Sequence, residues 1–247
     1  MARSAGAPST VLIDEFDFSG RTNQLSIDFT NNLGEVTAFS DDGSEYVEGL
    51  FGVQASLNGF FDGAASNFDA EMWTILGDGQ DHAVGLYPGN SATSGSIGYE
   101  LQGASVLSQE RPAEVAGAIL LNASFQNSGT VIRSTVLDNQ AVTTTGTVSG
   151  SNQNIGSTAS GERFVAIIRV VAWNASSLTV NIQESTDDGS GDAYVDIAGF
   201  SEVFSGLGTA RLQTTSATEA WKRISLSTFS GTSATVFVAV GKDHGVS

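Results

Sequence analysis

Apolar and polar positions alternate with a period of two over much of the chain. Leu25, Ile27 and Phe29 fall on one side of one stretch, and Val53, Ala55 and Leu57 on one side of another that ends at Phe60 and Phe61. The same alternation runs through residues 118–125, 130–136, 164–173, 178–182, 222–229 and 235–240, and each stretch predicts a strand. Turn signals fall between the strands, among them Asn31-Asn32-Leu33-Gly34, Asp41-Asp42-Gly43 and Asp187-Asp188-Gly189. One stretch has a helical period instead. After Ser66 as N-cap, Phe68, Met72, Ile75 and Leu76 recur at three-to-four spacing, Asp69 and Glu71 sit early where they complement the dipole, and Gly77 ends the run. One helix among many strands predicts a mainly β (α+β) fold in which the helix covers one face of a sheet.

Composition supports this reading, since 29 glycines and 3 prolines suit short strands joined by turns better than a helical bundle. Residues 143–161 hold only Val148, Ile155 and Ala159 as apolar members and no charge, which reads as a Gly/Ser/Thr-rich linker. The expected organisation is therefore a first domain over 1–142, the linker over 143–161 and a C-terminal β-sandwich over 162–247.

Charge is lopsided: 27 acids face 10 bases, a formal −17, although only 15% of residues are charged. Residues 1–140 carry 18 acids and 4 arginines, a net −14, against 9 acids and 6 bases, a net −3, in the remainder. Such a surface repels phosphate and excludes sequence-specific DNA binding. The absence of cysteine excludes disulfides and thiolate chemistry. Apolar runs fall far short of the ~20 residues of a membrane span, and the first ten residues lack the apolar core of a secretion signal, so synthesis in a cytoplasm and no membrane partner are expected.

Catalytic constellations are missing. His82, in the run Gly77-Asp78-Gly79-Gln80-Asp81-His82, has no second histidine near it and reads as part of a polar loop, and His244 reads as a solvated terminal residue. No nucleophile elbow or phosphate-cradling glycine loop is present. The run from Asp187 to Asp192 offers calcium-type oxygen ligands but lacks the closing Glu, and reads as a β-turn. Adjacent acids such as Asp14 and Glu15 diverge on a strand. Asn122-Ala123-Ser124 and Asn174-Ala175-Ser176 match the glycosylation tripeptide in strands without a signal sequence and read as chance. No catalytic residue, metal or cofactor is expected.

Residues 11–62 have an order of short elements that resembles the opening of tail tube (major tail) proteins of long-tailed viruses of bacteria and archaea. The elements are Asp17-Phe18-Ser19-Gly20, Val36-Thr37-Ala38-Phe39-Ser40-Asp41, Glu45-Tyr46-Val47-Glu48-Gly49-Leu50 and Gly59-Phe60-Phe61-Asp62. The resemblance covers roughly residues 11–140, and residues 162–247 are similar to an additional β-sandwich of some members. It implies a non-enzymatic virion protein whose copies form rings, usually of six, stacked into a tube through which DNA leaves. It implies self-association, contacts with tape measure, terminator and baseplate proteins, and no specific DNA binding. The acidic segment from Asp41 to Phe51, with Asp42, Glu45, Tyr46, Glu48 and Leu50, is then an inter-ring or inter-subunit loop, with a solvated hairpin as the bland alternative. The acid excess has a second reading, solubility in concentrated salt and a salt-loving host. Competing functions are a capsid decoration or tail-terminator protein, and a carbohydrate-binding β-sandwich in which Trp173, Tyr194 and Trp221 stack on sugars instead of packing on the sheet.

Overall fold

A computed structural model describes residues 9–36, 43–61, 68–112 and 119–243. Among these the chain forms fourteen strands and one helix. They are β1 Thr10–Ile13, β2 Phe16–Asp17, β3 Thr22–Glu35, β4 Tyr46–Phe60, α1 Phe68–Ile75, β5 His82–Tyr87, β6 Ile97–Glu110, β7 Leu120–Asn127 and β8 Val131–Val142. They continue with β9 Gly146–Thr147, β10 Gln153–Asn154, β11 Phe164–Ser185, β12 Val195–Phe204, β13 Gly208–Thr214 and β14 Trp221–Asp243. The mainly β class with one helix is as the periodicity predicts.

Two compact units divide the chain. Among the described residues, the first gathers those within 9–20, 83–101 and 131–243, and the second those within 21–82 and 102–130. These lines differ from a boundary near residue 142. The expected linker carries β9 and β10, both paired to β14, and its Val148 is buried in the first unit's core. Its few apolar residues serve as strand and core positions.

In the first unit the strands run β12-β11-β14-β8-β6-β5-β1-β2, with β13 on the remaining part of β11. The 22-residue β11 and 23-residue β14 pair along their whole length. The pattern predicts four strands here, because the polar runs Asn174–Ser177 and Ser230–Ser233 look like turns. They lie opposite one another as bulges in one ladder, and two of its four register shifts fall there. Gly231, at φ +143°, is required there, since a Cβ would lie 2.3 Å from the Ala175 Cα. The first half of β11 is buried on both faces. Phe164, Ala166, Ile168 and Val170 join the main core with Phe200 and Val238, while Val165 and Ile167 pack on Ile132.

The second unit has the order β3-β4-β7-β6, the last through its C-terminal half. Val53, Ala55, Leu57, Leu121 and Phe125 form its buried face. Phe68 and Met72 of α1, one turn apart, are fully buried. A Cβ on Gly59 would lie 2.8 Å from the Phe68 ring, so glycine lets helix and strand approach. Gly77, at φ +77°, terminates the helix. Ser66, the expected N-cap, lies outside the described residues.

Candidate functional site

The outer face of the β3-β4-β7-β6 sheet follows from the same alternation that builds its core. Between the buried apolar residues stand only small or amide side chains on β4 and β7: Gln54, Ser56 and Asn58, and Asn122, Ser124 and Gln126. Register aligns them in rows. Ser26, Ser56, Ser124 and Ser108 share one, Gln24, Asn58, Asn122 and Glu110 a second, and Asp28, Gln54 and Gln126 a third. Gln54 Nε2 donates to Gln126 Oε1 at 2.7 Å, Asn58 Nδ2 to Gln24 Oε1 at 2.7 Å, and the Ser108 and Ser124 hydroxyls lie 2.6 Å apart. These three pairs bond across neighbouring strands. The rows hold two acids, Asp28 and Glu110, and no base.

At one side of this sheet β3 is an edge, and its strand partner among the described residues is β4 alone. Fourteen residues of edge include Phe29, 44% exposed. A long apolar-bearing edge is a template for pairing with another chain.

The expected loop Asp41–Phe51 is shorter than its sequence suggests. Tyr46, Glu48, Leu50 and Phe51 lie on β4, because the pairing with β3 continues through Leu33↔Glu48 to Glu35↔Tyr46, and the Val36 N–H donates to the Glu45 carbonyl at 2.9 Å. Glu45 and Tyr46 are exposed, while Asp41 and Asp42 lie outside the described residues. The Asp17–Gly20 turn forms through the Ser19 N–H donating to Asp17 Oδ1 at 2.9 Å.

His82 opens β5 and is buried, unlike a loop residue; its Nε2 stands 3.3 Å from Asp78 Oδ1. Asp78 is held below the ordinary carboxylate range, chiefly by the Gln80 N–H. His244 lies outside the described residues. In the Asp187–Asp192 loop the Asp187 carboxylate accepts from the backbone N–H groups of Ser190, Gly191 and Asp192 at 3.0, 2.6 and 3.1 Å, and these hydrogen bonds lower its pKa. Its oxygens close a turn, as the sequence suggests. No group of three or more His, Asp or Glu placed to hold a metal occurs among the described residues.

Sequence reasoning missed a fully buried ionic cluster in the first unit. Arg169 of β11 donates to both Glu100 oxygens at 2.8 and 2.7 Å, and the Tyr87 hydroxyl donates to Glu100 Oε1 at 2.6 Å. Burial pushes the Arg169 pKa down, but the Glu100 charge opposes it and the net direction is up; burial, then Glu100, push Tyr87 well up. The only signal was an arginine within an otherwise apolar run, Phe164–Val171.

No family model matches the chain, and no curated protein matches it. Solved structures do. It is similar to a chain of the virion of a native gene transfer agent particle, at 14% identity and TM-score 0.42, over 52% of this chain and 97% of that one. It is similar to the SPP1 Dit protein, at 11% identity and TM-score 0.39, over 95% and 98%. It is also similar to the SPP1 tail tube, at 13% identity and TM-score 0.40, over 51% and 77%.

Proposed function

We propose that the chain is a structural subunit of a viral tail tube, with copies closing into rings, six to a ring, that stack into a conduit for DNA. The observation that carries this reading is the outer face of the β3-β4-β7-β6 sheet. A conduit must let a polyanion pass without gripping it. A lining of serines and amides, several bonded to one another, with two acids and no base, offers phosphate no cation to grip it. Edge strand β3 supplies the means of closure: pairing it with the β6 side of the next copy is a heterologous contact, which yields a ring when the rotation closes. The segment from Asp41 to Phe51, with Glu45 and Tyr46 exposed, reaches toward a neighbouring ring or subunit. Tape measure, terminator and baseplate proteins are the further partners, the virion tail is the location, and the role requires no catalysis.

Negative-stain electron microscopy tests the assembly, and hollow tubes are the expected result. Single rings favour a terminator and trimers a capsid decoration protein. The lining is tested separately, since the chain has no cysteine. In tubes of the Ser56→Cys variant the thiol should react with a small maleimide and be shielded from one carried on a large polymer. Equal reaction with both in intact tubes refutes the lining.

A further inference from the structure

The first unit carries a second polar face of different chemistry. Where β10, β14, β11 and β12 run side by side, alternate residues Lys222, Ile224 and Ile182 turn inward, while Trp221, Arg223, Gln183 and Asp196 turn outward. The registers Arg223↔Gln183 and Gln183↔Asp196 place three of these in one row, and Asn154↔Trp221 defines the next. Arg223 Nε donates to Gln183 Oε1 at 2.8 Å, and Gln183 Nε2 donates to Asp196 Oδ1 at 2.8 Å. Tyr194 supports the guanidinium from one side, 3.9 Å from its ring centre, and is itself held by its hydroxyl donating to Asp188 Oδ1 at 2.7 Å.

This chain of bonds fixes a guanidinium, an amide and a carboxylate without consuming them. The two terminal nitrogens of Arg223, one N–H of Gln183 and the second oxygen of Asp196 have no protein partner among the described residues. Trp221 is half-buried beside them, and its indole N–H has no protein partner among the described residues. The Ser/Gln/Asn face of the other unit has no aromatic and no base among its rows; this one sets a guanidinium and a carboxylate beside an aromatic plane.

We propose that this face binds an uncharged glycan, with the sugar's C–H side laid on Trp221 and vicinal hydroxyls bridging Arg223, Gln183 and Asp196. Hydroxyls both donate and accept, and they match a row that runs from open donors on Arg223 and Gln183 to an open acceptor on Asp196 at the ~5 Å spacing of paired strands. Preordering of the row limits the entropy lost on binding. Charge selects the ligand: Asp196 through Gln183 and Asp188 through Tyr194 stand on either side of Arg223, so anionic sugars are repelled and neutral ones accepted. The site lies within one unit of one copy and does not rest on ring formation.

The test uses the full chain on a glycan array of neutral β-glucan, xylan, mannan and chitin oligomers beside sialylated and uronic-acid oligomers. Titration calorimetry follows with the strongest binder. Binding to a neutral oligomer is expected, weakened about tenfold or more by Trp221→Ala and by Asp196→Ala, the size of one lost directed contact. Asp196 is exposed, so that variant should keep its melting temperature and separates lost binding from lost folding. No binding to any neutral oligomer, preference for acidic ones, or affinity unchanged in Asp196→Ala overturns the proposal. Monomers that still bind leave it standing while refuting the tube, and tubes that bind no neutral oligomer do the reverse.

Discussion

At the scale of single residues the first unit's most sensitive point is the Arg169–Glu100 pair. Both side chains are fully buried, so the pair's net worth is small, but removal of one partner strands a charge in the core. Arg169→Met is expected to destabilise the unit by about 3–5 kcal/mol, and Arg169→Met with Glu100→Leu to recover much of that; denaturant melts of the three proteins check it. Gly85 belongs to the same site, since a Cβ there would stand 2.8 Å from Glu100 Oε1. The chain's two lysines make a second test. Lys222 is fully buried, donates to the Glu219 carbonyl and lies 5.2 Å from the Phe164 ring centre; burial lowers its pKa. The Lys242 side chain is 44% exposed. Amine acylation of the native protein followed by peptide mapping should modify Lys242 and spare Lys222 until denaturant is added. Equal labelling in the native state contradicts the packing.

Among elements, the Asp187–Asp192 loop has a defined pH response. The folded state lowers the Asp187 pKa, so the carboxylate's contribution is complete above the unfolded value near ~3.9 and is lost as pH falls through the lower folded value. The melting-temperature gap between the parent chain and Asp187→Ala is therefore expected at neutral pH and should close in acid; a gap that persists in strong acid means the loop is held by other contacts. That this stretch is a turn was legible, because Asp-Asp-Gly states its own backbone requirement. The helix was legible from Phe68 and Met72, as were β4 and β7 from their alternation. Strand number was not: Asn174–Ser177 and Ser230–Ser233 have turn composition, and only their position opposite each other makes them bulges. Pairing across about sixty residues decides this, and no local window contains it. The rows of the second unit's outer face are hidden for the same reason, since Ser56, Ser124 and Ser108 become neighbours only through register.

For the whole molecule, sequential domains were the natural expectation from composition, yet the first unit draws on three separated stretches of chain, because strand pairing and not linker composition determines what packs together. Charge acts at this scale too. A formal −17 on each copy opposes any assembly of like copies, and screening decides how strongly. The Debye length shrinks from about 10 Å at 0.1 M salt to about 3 Å at 1 M, which leaves backbone pairing along β3 unaffected while removing most repulsion between facing acids. If the acid excess is an adaptation to concentrated salt, assembly should be sparse at low salt and extensive at molar salt, scored as the fraction of protein sedimenting as tubes. Phe29→Lys, which places a charge on the edge strand, should abolish tubes at both salts, with the variant's melting temperature checking that its monomer still folds. Tubes as abundant at low salt as at high salt would show that the acids do not oppose contact between copies. The charge would then be concentrated away from the interfaces, and the high-salt explanation of the lysine-poor composition would fall while the edge-pairing route to a ring remained.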